Sequence, residues 1–547
     1  VINKIDAEGV DLPKLLSELK EAFGDGVLPI NLPAKGMTRV IDCFDRDTGE
    51  SDIMTVSDVH RAFIERVVEV DDATMEKYLE EGDADPSTLH APITKALREG
   101  HIIPVCFTSA KNLIGIRDLI KVIIRHMPAP VEANAAPFVD AQGNPVHIAP
   151  DPDQPVIARV FKVVSDPFVG KIGVFRVHRG RIKAGTELYA GDAKKPFKVV
   201  HPLLLQGKNT ADTDELHAGD IGALSKVDDL YYGCVLHSDP ADAGIVLPRP
   251  PYPRPMFGLA IEPARRGDES RMGEVLQKML AEDPTLAVDH DVQLNETVLR
   301  GLTEMHVRTV LERMKDQFKL EVTTSAPSVP YRETIGAAAE GHARHKKQTG
   351  GAGQFGEVFL KVEPLPRGAG FEFVDRVKGG VIPFNLIPAV EKGVREVLAT
   401  GYMAGYPITD IRVTVYDGKS HPVDSKEVAF VAAGRKAMLD ALAKAQPQIL
   451  EPIVEIAVSA PESTMGAITG DIAARRGQVQ GTDNLAPGVM EIKALVPLSE
   501  LTGYAARLHA LTQGAGAFTM DLADYHTVPA QKAQELASHY QRKDEED

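Results

Sequence analysis

The sequence has 547 residues, of which 43% are apolar, and a formal net charge of −17. This length exceeds what one hydrophobic core can serve, so about three to five domains are predicted. An acidic chain is a poor candidate for sequence-independent binding of nucleic acid, because such binding needs clustered Lys and Arg. No apolar run approaches the length of a membrane span, no signal peptide is recognised, and the three cysteines lie far apart. We therefore predict a cytoplasmic protein with no disulfide framework and no metal site.

The tetrapeptide Asn3-Lys4-Ile5-Asp6 follows a short apolar start and has the composition of a loop that reads a purine base. An Asp carboxylate can accept from both N–H donors on the Watson–Crick edge of guanine, whereas adenine offers an acceptor in place of one of them. Asp6 is therefore predicted to select guanine. Asn3 is expected to join neighbouring loops and meet the purine, and the stem of Lys4 to lie along the base. An ordinary polar turn after a strand is the alternative.

A second segment, HIIPVCFTSAKNLIGIRDLIKVIIRHMPAP, contains an apolar run at 102–107, the short loop Ser109-Ala110-Lys111 and then a helical pattern. Backbone amides in a small strand-to-helix loop can approach a purine carbonyl, so Ser109, Ala110 and Lys111 are also predicted to bind guanine. Together the two segments resemble the fourth and fifth guanine-recognition motifs of the GTPase superfamily. The helix is predicted to have one apolar face, formed by Leu113, Ile116, Leu119, Ile120 and Ile123.

The phosphate-binding half of a GTPase site is not found in this sequence. Two stretches match only part of the GxxxxGK[ST] motif. At Gly418-Lys419-Ser420, Val413 stands in place of the first Gly, and at Gly207-Lys208, Pro202 stands in that place. Such a site lacks the cradle of backbone N–H groups and the hydroxyl that binds Mg²⁺. We therefore expect the chain to begin after the phosphate-binding half of its GTPase domain. By itself it should hold no GTP, GDP or Mg²⁺ tightly and should not hydrolyse GTP.

Residues 1–128 are thus predicted to be the end of a P-loop GTPase domain, with a polar, helical subdomain inserted between the two guanine motifs. A linker rich in Pro and Ala follows at 129–153, and short alternating strands with Gly punctuation predict a β-barrel over 154–250. Two stretches of this barrel, DPFVGKIGVFRVHRGRIKAG and LHAGDIGAL, are similar to the second domain of the elongation factor G family of translational GTPases.

Two blocks, 251–326 and 448–528, have the element order βαββαβ, which predicts two ferredoxin-like domains, and a tail follows at 529–547. Gly477 and Gly514 are expected to end the two helices of the second block. Each of the four helices is predicted to have an apolar face, formed in turn by Met272, Val275, Leu276, Met279 and Leu280; by Val307, Val310, Leu311, Met314 and Phe318; by Met465, Ile468 and Ile472; and by Leu501, Tyr504, Leu508 and Leu511.

Residues 327–447, between these blocks, are predicted to form an α+β domain similar to the second domain of ribosomal protein S5. The segment from Gly341 to Gly356 contains three basic residues and no acid, so basic charge is local here although the whole chain is acidic. A flexible solvated hairpin is the alternative. The stretches KKQTGGAGQFGEV, KGGVIPFNLIPAVEKGVREVL and SHPVDSKEVAF are similar to the fourth domain of elongation factor G, which in that family reaches into the decoding centre.

The resemblance covers nearly the whole chain and implies a multidomain α/β and α+β protein that promotes GTP-dependent movement of tRNA and mRNA on the ribosome. The implied partners are the ribosome, with its RNA and proteins, and the tRNA–mRNA complex, for a monomer without membrane contact. No catalytic residue is predicted, because in this family a residue of the missing half orients the hydrolytic water. The implied ribosome or RNA contacts are His421, Asp424, Ser425, Arg344, Lys346, Lys347, Gln348, Gly350 and Gly351.

Two other functions stay open. Ser420 and Pro422 replace residues that are usual beside the tip His of the translocase, so a paralogue acting in ribosome recycling or ribosomal protection is an alternative. A non-hydrolysing ribosome-binding module is the alternative from another class. In each case His421 is predicted as a contact residue, since an exposed imidazole can hydrogen-bond RNA or stack on a base without acid–base chemistry.

Overall fold

The computed structural model describes residues 1–81, 89–166, 169–207, 209–292, 294–347, 353–538 and 540. The predicted contacts Gln348, Gly350 and Gly351 lie outside these residues. The chain divides into two compact units, Val1–Pro250 and Pro251–Asp547. Within the described ranges, no helix combines the length and apolarity needed to cross a membrane.

The first unit begins with a small parallel sheet that carries the guanine motifs. Its central strand pairs in parallel with the strand at 27–29 on one side and with Ile2 on the other. Carboxyl ends of parallel strands meet at one edge, so the loops after Ile2 and after the central strand become neighbours. The elements in this region are α1 (Leu12–Phe23), β1 (Val27–Pro29), β2 (Asn31–Ala34), β3 (Arg39–Asp42), α2 (Val56–Val68), α3 (Asp72–Glu81), α4 (His90–Glu99), the central strand β4 (Ile103–Val105) and α5 (Ile116–His126).

The predicted strand, loop and helix around β4 and α5 are present, but the apolar face predicted for the helix is wrong. Leu113 precedes the helix and is 73% exposed, while Ile120 and Ile123 are about half exposed. The residues of α5 that enter the core are Val122 and His126. The apolar stripe of α5 is wider than the surface it packs against, and only the part that faces α4 and Phe44 is buried.

The predicted linker has structure of its own before the barrel begins. It forms a hairpin of two short strands, and Phe138 and Ile148 pack on the barrel residues Ile157 and Val235. The barrel contains an eight-stranded antiparallel sheet with the order β11-β10-β16-β7-β8-β15-β12-β13 and a separate β9–β14 pair. The strands are β5 (Phe138–Val139), β6 (Pro145–Val146), β7 (Ile157–Asp166), β8 (Gly170–Arg179), β9 (Arg181–Lys183), β10 (Glu187–Ala190), β11 (Phe197–Lys198), β12 (Leu203–Gln206), β13 (Asn209–Asp212), β14 (Glu215–His217), β15 (Ile221–Ser225) and β16 (Val235–His237).

The second unit opens with the predicted βαββαβ module, whose sheet order β18-β19-β17-β20 is that of a ferredoxin-like fold. Its helices bury the predicted faces, with Met272 and Met279 on the first and Val307 and Met314 on the second among the buried residues. The elements are β17 (Phe257–Pro263), α6 (Glu269–Glu282), β18 (Ala287–Asp291), β19 (Glu296–Gly301), α7 (Glu304–Phe318) and β20 (Val322–Ser325).

The next module has a four-stranded mixed sheet, in the order β22-β23-β25-β24, against which two helices pack. The strand β24 is parallel to β25, and β23 is antiparallel to it. An additional strand, β21, pairs instead with the first strand of the module that follows. The elements are β21 (Arg332–Ile335), β22 (Ala339–Lys347), β23 (Gln354–Pro364), β24 (Phe371–Asp375), α8 (Ile387–Thr400), β25 (Ile411–Lys419) and α9 (Glu427–Lys444).

The last module repeats the ferredoxin-like order, with β29 pairing one side of β26 and β28 the other. Its first helix ends at Ala474, and the left-handed residue after it is Arg476, with a φ of 58°, and not Gly477 as predicted. Gly514 has a φ of 87° and follows the second helix as expected. The elements are β26 (Pro447–Pro461), α10 (Met465–Ala474), β27 (Gln478–Ala486), β28 (Val489–Pro497), α11 (Tyr504–Thr512), β29 (Ala517–Thr527) and α12 (Ala530–Ser538).

Candidate functional site

The two guanine motifs lie side by side at the carboxyl edge of the small parallel sheet. The backbone of Ile2 exchanges hydrogen bonds with Cys106 and Thr108, each at 2.8 Å. This pairing brings the Asn3 side chain to the next loop, where its Oδ1 accepts from the Ala110 backbone N–H at 2.9 Å. Asn3 therefore joins the two loops, although 107 residues separate the two partners in sequence.

The Asp6 carboxylate lies over the same loop and is prepared to accept hydrogen bonds. The Asn112 side-chain amide donates to Asp6 Oδ2 at 2.6 Å. A hydrogen bond from the Ser109 side chain, helped by Asn112 and by the charge of Lys111, lowers the pKa of Asp6 below its ordinary value. An ionised carboxylate accepts at both oxygens, which is the chemistry that guanine requires. Asn112 was not predicted; its position directly after the Ser109-Ala110-Lys111 loop was the only available signal.

The remaining predicted guanine-binding residues surround this carboxylate. Lys4 has a left-handed φ of 63°, and its carbonyl accepts from the Ala7 N–H at 3.0 Å, which closes a tight turn over residues 4–7. Lys4 and Lys111 are both exposed. Ser109 is fully buried, and its backbone N–H and carbonyl both hydrogen-bond to the backbone of Ile114. The loop is therefore fixed by Ser109 while the two lysines stay available to a ligand.

The structure brings the predicted base contacts together, whereas the sequence has no motif for the phosphates. Asp6 supplies a paired acceptor and Ala110 lies in a loop whose backbone is held in place. Phosphate and Mg²⁺ need a nest of backbone N–H groups and a hydroxyl ligand, and the sequence has no motif of that kind. Recognition of guanine by these residues therefore stays a prediction.

A second site lies at one edge of the β22–β25 sheet. Because β24 and β25 are parallel, the loops 376–386 and 420–426 leave the sheet at the same edge. The strand β23 is antiparallel to β25 and starts at this edge, with Glu357 opposite Lys419. We call the described residues 344–347, 353–355, 376–386 and 419–427 the tip edge.

The loop that carries His421 is pinned to the start of β23. The Ser425 hydroxyl accepts from the His421 backbone N–H at 2.7 Å and donates to the Phe355 carbonyl at 2.9 Å. The Phe355 N–H in turn donates to the Asp424 carbonyl at 2.9 Å. Ser425 thus uses its hydroxyl within the protein and positions the loop, although it was predicted as a ribosome contact.

The imidazole of His421 is turned so that one nitrogen faces the loop. Its Nδ1 lies 3.2 Å from Asp424 Oδ2 and 3.3 Å from the Asp424 backbone nitrogen. Asp424 is also close to Gly353, where an added Cβ would come within 2.7 Å of a carboxylate oxygen and would displace the Asp424 side chain. With Nδ1 occupied and the side chain about half exposed, Nε2 is the nitrogen of His421 that an external partner can reach.

The basic residues predicted beside His421 lie on the neighbouring strand. Arg344 stacks its guanidinium 5.2 Å from the Phe355 ring centroid, which holds this arginine against the tip edge. Lys346 and Lys347 are exposed at the end of β22. The structure therefore brings His421 and the three predicted basic residues to one edge. The loop 376–386 reaches the same edge and was not among the predicted contacts, since its sequence has no residue whose chemistry alone marks a site.

Four family models match consecutive parts of the chain. They are elongation factor G domain 2 at 155–238, elongation factor G domain III at 252–326, elongation factor G domain IV at 327–446 and the elongation factor G C-terminus at 448–536. A crystal structure of a protein from Thermus thermophilus is 34% identical with a TM-score of 0.78, and the match covers 98% of this chain and 80% of that one. The chain belongs to the elongation factor G family. This membership confirms the predicted multidomain architecture and places the chain in a family of translational GTPases that act on the ribosome.

Proposed function

We propose that the chain promotes GTP-dependent translocation of tRNA and mRNA when it is joined to the phosphate-binding half of a GTPase domain. The joined protein would act in the cytoplasm as a monomer. The proposal is supported above all by the tip edge of the elongation factor G domain IV, where His421 stands beside a cluster of basic residues in an otherwise acidic chain. A local group of basic residues lets an acidic protein contact RNA at that edge.

The guanine loops supply the second part of the proposal. Asp6 and the backbone held by Asn3 select the base, so GTP rather than ATP is the nucleotide that the joined protein would use. Phosphate contacts and Mg²⁺ would come from the phosphate-binding half. Hydrolysis would then take place there, while the residues of this chain determine which nucleotide binds and which ribosomal partner is contacted.

The chain by itself is expected to release no phosphate from GTP, because contacts to the base alone leave the reacting γ-phosphate unheld. Phosphate release should be measured with purified chain, with and without bacterial 70S ribosomes, against a blank without protein. Turnover stimulated by ribosomes would contradict this expectation. Absence of turnover by the chain alone is expected for both candidates; absence of ribosome-stimulated turnover after joining to a phosphate-binding half would favour the second candidate, a non-hydrolysing ribosome-binding module.

His421→Ala is expected to slow tRNA–mRNA movement by a few-fold to about tenfold, the usual range for one lost hydrogen bond. GTP affinity and ribosome-stimulated hydrolysis should stay near the parent values, since the tip contact is made during movement and not during nucleotide binding. Single-round translocation and hydrolysis should be followed on the same ribosomes, using the chain joined to a phosphate-binding half. His201→Ala, at an exposed histidine of the barrel, is the matched control. Translocation at the parent rate would favour recycling or protection as the function.

A further inference from the structure

The loop 376–386 presents an aromatic side chain to solvent at the tip edge. Phe384 is 87% exposed, more than any other large apolar side chain in the described part of the chain. It begins the short 3₁₀ turn Phe384–Leu386, between β24 and α8. Single exposed apolar side chains are common on protein surfaces, so Phe384 is marked by its place on a basic loop at the tip edge and not by its exposure alone.

The residues around Phe384 hold it outward. Ile382 and Leu386, two positions before and two after, are buried in the core of this domain with 2% and 9% exposure. Ile382 packs against Gly418 at the end of β25, where an added Cβ would come within 2.6 Å of its side chain. The Leu386 N–H donates to the Pro383 carbonyl at 2.8 Å, which closes the turn. With both neighbours anchored, the Phe384 ring cannot enter the core without displacing one of them.

The loop that carries this ring is basic, and Asp375, directly before it, accepts from the Val377 N–H at 2.9 Å. Arg376 and Lys378 are exposed on the same loop, which contains no acidic residue from 376 to 386. Gly379 and Gly380 follow with left-handed φ angles of 68° and 69°, and an added Cβ at either would meet no atom within 4 Å. Two exposed glycines beside two cations allow a phosphate to approach the backbone closely. Lys419 and Lys426 flank the adjacent His421 loop at the same edge.

An exposed aromatic ring among exposed cations is the combination that binds single-stranded nucleic acid, because bases stack on the ring while Lys and Arg contact the phosphates. A protein partner would need an apolar pocket with acidic groups around it to match this ring and these cations. No feature of the tip edge calls for such a pocket. We propose that Phe384 is a stacking platform for an unpaired RNA base, with Arg376 and Lys378 on the flanking phosphates. This inference rests on the proposed function and adds a named contact to it.

The first test uses the whole chain and two probes, a short unstructured RNA and an abasic RNA of the same length. Phe384→Ala should weaken binding of the base-bearing RNA about fivefold or more and leave binding of the abasic RNA unchanged. Phe384→Tyr should bind as the parent does. Lys346→Ala with Lys347→Ala should weaken both probes and reduce the salt dependence of binding. Met305→Ala, at an exposed apolar residue of α7, is the matched control. Equal binding of the base-bearing RNA by Phe384→Ala and the parent would overturn the stacking role.

The second test separates this inference from the proposed function. A photoreactive benzoylphenylalanine at position 384 keeps an aromatic side chain and crosslinks to whatever lies against it on bacterial 70S ribosomes. Crosslinks to RNA that disappear when an excess of the unmodified chain is added as competitor would support the proposal. Crosslinks only to ribosomal protein would overturn the stacking role and leave the ribosomal function standing. Failure of the parent chain, joined to a phosphate-binding half, to sediment with ribosomes would overturn both.

Discussion

Replacing Glu333 by Ala is expected to lower the free energy of unfolding of domain IV by about 3–5 kcal/mol, the range for removing one partner of a buried charged network. Glu333 is 1% exposed, and its carboxylate accepts four backbone hydrogen bonds from the loop after α8. Its Oε2 accepts from Tyr402 and Met403 at 2.7 and 2.8 Å, and its Oε1 from Ala404 and Tyr406 at 2.8 and 3.2 Å. Ala would leave these donors without an acceptor, each at the cost of an unmade buried hydrogen bond.

An isosteric variant tests the acceptor role of the carboxylate separately from its volume. Glu333→Gln keeps the shape but turns one acceptor oxygen into an NH₂ group that faces two N–H donors, so it should also destabilise the domain, though less than Ala does. Hydrogen exchange of the amides at 402–406 reports the loop directly, and urea unfolding reports the domain. Glu396→Ala, at an exposed Glu on α8, should change stability by less than about 0.5 kcal/mol. Unchanged exchange at 402–406 in Glu333→Ala would show that the loop does not depend on this carboxylate.

Asp6→Asn is expected to shift the base preference of the chain from guanosine toward xanthosine by about tenfold or more, as for a hydrogen bond to a charged group. Xanthine carries a carbonyl where guanine carries its exocyclic amine, so an Asn amide can donate where Asp could only accept. The parent preference for guanosine should persist as the pH is lowered toward about 4, because hydrogen bonding to Ser109 lowers the pKa of Asp6. The preference is then lost as the pH falls through that lowered pKa.

Saturation-transfer NMR with the two nucleosides measures this preference without any phosphate contact. Glu8→Gln, which alters an exposed acid two residues away, should leave the preference as in the parent. The same preference in Asp6→Asn and the parent would remove Asp6 from contact with the base. Loss of binding to both nucleosides would place Asp6 in the loop structure and not in base selection.

Local patterns in the sequence were sufficient where one element packs on one surface. The faces of α6 and α7 were predicted from 3.6-residue periodicity, because each helix lies on one side of its own sheet and buries a single stripe. The two predicted guanine loops were singled out by residue type and spacing, and the structure shows that Asn3 and Ala110 join them. The prediction failed at α5, where periodicity marks which residues are apolar and does not show how much of that stripe another element covers.

The sequence by itself determined the order and type of the domains, the guanine motif and the basic segment around Lys346, since these depend on residues close together in the chain. Only the tertiary structure decided which distant residues meet. Glu333 is bound by a loop about 70 residues away, and Phe384 stands beside the His421 loop because β24 and β25 run in parallel. Neither fact is encoded in a local pattern, because strand pairing and burial are set by chain segments far apart in sequence, and the same Glu or Phe in another topology would have other neighbours.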